Sequence, residues 1–152
     1  MKDIKYLLSI ESKGIKLGLN RTKQLSSRCQ NPHEDLKIIQ VAGTNGKGST
    51  CAILSSILLN ANYKVGLFTS PHLVNVNERI RINGVPISDN YISKYIQLYK
   101  NDIEETSASF FETITIMAFW YFKKMNVDYA IMETGLGGRL DSVTICSPIA
   151  SV

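Results

Sequence analysis

The 152-residue chain is 44% hydrophobic, with 17 Lys and Arg against 13 Asp and Glu for a formal charge of +4, which fits one globular domain with its own core and excludes a disordered chain. Its cations are spread with no run of five or six, so the clustered footprint of a nucleic-acid binder is missing, and no stretch reaches the roughly 18 apolar residues of a membrane span. Cys29, Cys51 and Cys146 are far apart without metal-ligand spacing, and the opening segment carries acids among its apolar positions, so a cytoplasmic protein without a signal peptide is expected.

Taken in chain order, Ile4, Leu7, Leu8 and Ile10 recur at helical spacing and predict a short helix ending before Gly14. A polar stretch, Ser26 to Asp35, follows. Leu36–Ala42 is a compact apolar run that ends on Gly43, the pattern of a buried strand entering a glycine loop. After that loop, Ser49–Ala61 sets small residues and leucines at helical spacing, and Lys64–Thr69 is a second short apolar segment. The order is strand, loop, helix, strand.

Around Asn83–Gly84 two short alternating runs, with Ile80 and Ile82 before and Val85 and Ile87 after, predict a hairpin. Ser88 is placed to cap a helix from Asp89 to about Glu105 through its hydroxyl. Phe110–Met125 is apolar almost all round, which predicts a buried helix. Val127–Met132 reads as a buried strand that ends at Glu133 and the loop TGLGGRLD, and Ile145–Val152 begins a further strand and stops within it, so a cut domain is expected. Helices alternating with apolar strands imply an α/β fold, a mainly parallel sheet flanked by helices, because parallel neighbours need a crossover between them.

The loop itself, Gly43–Thr50, reads GTNGKGST. Glycines free the backbone so that successive amides can turn inward, Lys47 supplies a cation, and the following helix N-terminus favours negative charge, so phosphates of a nucleotide, ATP foremost, are the expected ligand. The spacing departs from GxxxxGK[ST], since Gly48 separates Lys47 from Ser49 and Val41 stands where the first glycine would be. A stand-alone phosphate-loop module or small kinase is the alternative, and a remnant that merely folds is a third.

Three segments in this order, GTNGKGST, FTSPHLVNVNERIRINGVPIS (Phe68–Ser88) and METGLGGRLDSV (Met132–Val143), resemble the folylpolyglutamate synthase and dihydrofolate synthase family of the Mur ligase superfamily. The resemblance runs over nearly the whole chain and the first third or so of a full-length enzyme. It implies a P-loop-containing, Mur ligase-like central ATPase domain, of which residues 1–152 would be the N-terminal part, the glutamate-binding C-terminal domain lying outside the chain. It also implies an ATP- and Mg²⁺-dependent ligase, cytoplasmic and monomeric at full length, that joins L-glutamate to dihydropteroate or folates through an acyl phosphate. On its own the chain would be inactive, since an Asp-His motif completing the metal site would begin just past Val152.

Residue by residue, the resemblance gives Thr44, Asn45, Gly46, Lys47, Gly48 and Ser49 the triphosphate, with Lys47 the catalytic cation, and gives Ser70 and Glu133 the magnesium. A hydroxyl and a carboxylate suit a hard cation that keeps several waters. The pterin end would meet Gly14, Ile15, Lys16 and Leu17, then Ser109, Phe110, Phe111 and Glu112, then Leu140, Asp141 and Ser142, although at Lys16 the family often has an acid. Bland alternatives stand beside each: Ser70 as a turn serine before Pro71, Glu133 as an exposed strand-end acid, Ser109 and Glu112 as a capping box, Arg139 and Asp141 as a structural pair. His72 is read as an ordinary polar contact and not a metal ligand.

Overall fold

The computed structural model describes residues 2–11 and 18–152, so the expectations placed on Gly14, Ile15, Lys16 and Leu17 lie outside the described residues. Helix α1 (Lys2–Glu11) follows its apolar spacing and buries Leu7 and Ile10. Helix α2 (Asn20–Arg28) is not announced by any apolar pattern: its sequence is NRTKQLSSR, and it buries Thr22 and Ser26 beside a single large aliphatic, Leu25.

Strand β1 (Ile38–Val41), helix α3 (Lys47–Asn60) and strand β2 (Val65–Phe68) appear in the expected order. The helix starts two residues before Ser49, because Gly46 adopts φ 79° and turns the chain there. A turn with a cis Ser70–Pro71 peptide and a 3-10 turn over Val76–Arg79 lead into the hairpin β3 (Ile80–Ile82) and β4 (Val85–Pro86). Its Asn83 and Gly84 have φ 50° and 80°, as the tight primed turn requires.

Helices α4 (Asp89–Glu105) and α5 (Phe110–Lys124), then strand β5 (Tyr129–Glu133), complete the expected elements. Two details differ. Ser88 holds the N-cap position of α4, but its hydroxyl makes no capping bond; Asn77 ties the helix start instead, its amide donating to Ile87 O at 2.7 Å and to Asp89 Oδ1 at 2.9 Å. Within Ile145–Val152 only Ala150–Ser151 forms a strand, β6, since Ile145 closes a 3-10 turn from Ser142 and Pro148 lacks the amide needed for a longer ladder.

The sheet order is β4-β3-β2-β5-β1-β6, with β2, β5, β1 and β6 parallel and the hairpin antiparallel at one edge. Strand β5 lies between β1 and β2, pairing Ile38 with Ala130 and Val65 with Tyr129. Its alternate residues point to opposite faces. Ile131 packs with Val41, Cys51 and Val65 under α3, whereas Ala130 and Met132 join the larger core that holds Phe119 and Phe122 of α5 together with buried residues of α1, α2 and α4. Each fully buried phenylalanine contributes about 2–3 kcal/mol. Among the described residues no helix is long and apolar enough to cross a membrane.

Candidate functional site

The parallel strands β1, β2 and β5 all end on one side of the sheet, the side where open α/β sheets bind ligands. From the end of β1, Gly43 (φ 151°) and Gly46 (φ 79°) bend the chain into α3, leaving Thr44 and Asn45 exposed. No side chain caps α3, so the amides of its first turn, Lys47, Gly48 and Ser49, have no partner within the helix and stand at the positive end of its dipole. Lys47 folds back over this loop, its Nζ donating to Gly43 O at 2.8 Å.

Glu133, at the end of β5, is 4% exposed, which removes the reading of an exposed strand-end acid. One carboxylate oxygen, Oε2, accepts from the Ser70 amide at 2.8 Å, while a Cβ placed on Gly48 would come within 3.7 Å of Oε1. The acid therefore touches the turn after β2 and faces the phosphate loop after β1. Among the described residues the Ser70 hydroxyl has no hydrogen-bond partner, while its amide serves the turn. Cys51, one turn into α3, is buried; burial, then the Glu133 charge, pushes its thiol up to about 12, so it stays protonated and is no nucleophile.

His72 accepts at Nδ1 from Arg79 Nε at 2.7 Å, a polar contact as expected. Arg79 is itself buried, with its guanidinium 5.1 Å from the centre of the Phe110 ring, and burial lowers its pKa. No three His, Cys, Asp or Glu side chains gather into a metal cage among the described residues.

Of the segments given to the pterin end, Ser109–Glu112 and the turn at Ser142 meet at the start of α5. Ser109 and Glu112 form the capping box: the Glu112 amide donates to Ser109 Oγ at 3.3 Å and the Ser109 amide to Glu112 Oε2 at 2.6 Å. Asp141 does not pair with Arg139, which is exposed. Its carboxylate accepts from the amides of Gly135 and Leu136, both at 2.9 Å, and of Val143 at 3.0 Å, bracing the GLGGRLD loop. Burial pushes the Asp141 pKa up and these amides oppose it.

The structure narrows the expectation for this end. Ser109, Phe110, Glu112, Asp141 and Ser142 are all buried, so the surface they support is that of half-buried Phe111 and exposed Leu140. Phe111 lies between Phe68, with ring centres 5.8 Å apart, and Gly135. Sequence reasoning missed Arg21, Thr22 and Arg79. The two former sit on the unannounced helix, and the last closes the 3-10 turn before β3.

Dihydrofolate synthase/folylpolyglutamate synthase of Bacillus subtilis is 44% identical over 146 residues, covering 91% of this chain and 34% of that protein. The crystal structure of folylpolyglutamate synthase from Thermotoga maritima superposes with a TM-score of 0.92 at 41% identity, covering 99% of this chain and 37% of that one. The chain belongs to the folylpolyglutamate synthase/dihydrofolate synthase family. A bifunctional folylpolyglutamate synthase/dihydrofolate synthase with Mn, AMPPNP and L-glutamate bound matches at TM-score 0.88 and 38% identity, covering 98% and 37%. No family model matches the chain. The chain thus spans about a third of the length of the folylpolyglutamate synthase relatives it matches.

Proposed function

We propose that this chain is part of the ATP-binding domain of a cytoplasmic, MgATP-dependent ligase that joins L-glutamate to dihydropteroate or to folates through an acyl phosphate. The observation that carries the reading is the meeting of the phosphate loop, Ser70 and Glu133 at the ends of three parallel strands. A relative of the same fold holds Mn, an ATP analogue and L-glutamate. In phosphoryl transfer, positioning and charge neutralisation supply most of the rate, and amides, a lysine and a hard cation are the parts that do this.

On this reading Thr44, Asn45, Gly46, Gly48 and Ser49 present amides and hydroxyls to the triphosphate, and Lys47 leaves Gly43 O to meet the transferred phosphate. The donor set fits magnesium: Ser70 Oγ and the Glu133 carboxylate are hard oxygens beside the loop that would hold part of its shell. Bound there, the ion would neutralise charge on the phosphates. Phe111 and Leu140 offer apolar surface to a flat pterin, and by the family resemblance Gly14, Ile15, Lys16 and Leu17 share that role. Ser109, Phe110, Glu112, Asp141 and Ser142 hold that surface from beneath.

The test is phosphate release by the intact gene product supplied with MgATP, L-glutamate and either dihydropteroate or a reduced folate. Release that depends on all three substrates is expected. No release with either acceptor would overturn the ligase reading.

A further inference from the structure

Glu112 anchors a buried chain of hydrogen bonds that reaches helix α2, an element to which the proposed function assigns nothing. The carboxylate is 2% exposed; besides the Ser109 amide, its Oε2 accepts from Arg21 Nε at 3.2 Å, and its Oε1 from the Thr22 hydroxyl at 3.3 Å. Thr22 Oγ1 is also 3.3 Å from Ser142 Oγ. A threonine hydroxyl has a single hydrogen, which Thr22 shares between its two acceptors. Thr22 is the donor toward both Glu112 Oε1 and Ser142 Oγ.

Thr22 is separated from these partners by 90 and 120 positions in sequence, and its hydroxyl is where the first turn of α5 and the 3-10 turn at Ser142 are joined. Phe111 precedes Glu112, and Leu140 lies two residues before Ser142. The two accessible side chains of the acceptor surface are therefore set relative to each other through α2. A buried carboxylate of this kind needs a charged partner and filled lone pairs, and Arg21 with Thr22 supplies both.

We propose that Thr22 and Arg21 are positioning residues of the acceptor site, holding Phe111 and Leu140 in register for a pteroate-type substrate. The proposal rests on the acceptor reading given above. Thr22→Val keeps the shape and removes the hydroxyl, whereas Thr22→Ser keeps the hydroxyl. In the intact gene product, dihydropteroate and ATP affinities are measured side by side by calorimetry, with amide hydrogen exchange over residues 109–113 and 134–145.

Thr22→Val should weaken dihydropteroate binding about tenfold, the scale of one lost buried hydrogen bond. It should also speed exchange in both segments while leaving ATP affinity unchanged, and Thr22→Ser should restore acceptor affinity and slow exchange. Unchanged acceptor affinity in Thr22→Val overturns the proposal. So does a parallel loss of ATP binding, or a Thr22→Ser variant as damaged as the valine. If the wild-type protein binds ATP but no dihydropteroate, the ligase reading falls by itself, and exchange decides: unaltered protection in Thr22→Val then overturns the positioning role.

Discussion

Replacing Gly135 by alanine probes the contact between the loop after β5 and the acceptor surface. A Cβ there would lie 2.5 Å from Phe111 Cζ, 2.7 Å from Cε2 and 3.1 Å from Cε1. Ordinary carbon contacts sit at about 3.5–4.0 Å, so the ring must retreat by about 1 Å. Gly135 is not among the glycines with positive φ, so the methyl brings overlap and no backbone penalty. Retreat inward is blocked by Phe68, leaving movement toward solvent. Overpacking of this kind costs about 1–3 kcal/mol. With about 2–4 °C per kcal/mol for a domain of this size, and a half-buried ring that can give way, a Tm loss of roughly 2–6 °C is expected. The decisive measurement is a double-mutant cycle by urea and thermal unfolding, because in a Phe111→Ala background the clashing ring is gone and Gly135→Ala should cost almost nothing. An equal cost in both backgrounds, or a neutral Gly135→Ala, would refute the packing argument.

Lys47→Ala should lower MgATP affinity roughly 10- to 100-fold by calorimetry, the worth of a charged hydrogen bond, with little change in melting because Nζ bonds a carbonyl of its own loop. Glu133→Gln retains an acceptor for the Ser70 amide and removes the charge. ATP binding without metal should therefore survive while its enhancement by Mg²⁺ shrinks, and Ser70→Ala should act in the same direction, as titrations with and without Mg²⁺ would show. The Glu78 carboxylate is held below its ordinary value of 4.5 by the backbone amides of Asn75, Leu73 and Val74. Its folded pKa lies under its unfolded one, so its stabilisation is present above about pH 4.5 and is lost as pH falls through the folded value. The Tm gap between wild type and Glu78→Gln should accordingly persist at neutral pH and shrink as pH falls below about 4.5, and a gap independent of pH would contradict it.

Where a signal was local, the fold was legible from residues alone. The apolar run of β1, the glycines after it, Asn83–Gly84 and the all-apolar α5 each carry their cause within a dozen residues. Helix α2 was not legible, since Thr22 and Ser26 are buried only because Glu112, Ser142 and His33 come to meet them. The phosphate loop could be read directly, whereas Ser70 and Glu133 came through resemblance, and their contact spans 63 positions. Ser88 shows the limit of position-based rules: it holds the cap position, yet Asn77 ties the helix start.

The place of β5 also has a consequence for how the chain comes into being. Strands β1 and β2 share no hydrogen bonds; each finds its neighbour in β5, which is made more than 60 residues after β2. A chain growing from its N-terminus carries β1 without a strand partner, and β2 with only the β3–β4 hairpin beside it, until residue 133 has emerged, and such non-local pairings form slowly because the loop entropy is lost first. The residue that ends β5 is Glu133. The segment that closes the gap in the sheet thus brings the acid to the phosphate loop in the same event, so the loop has no acidic neighbour in any form of the chain whose sheet is still open.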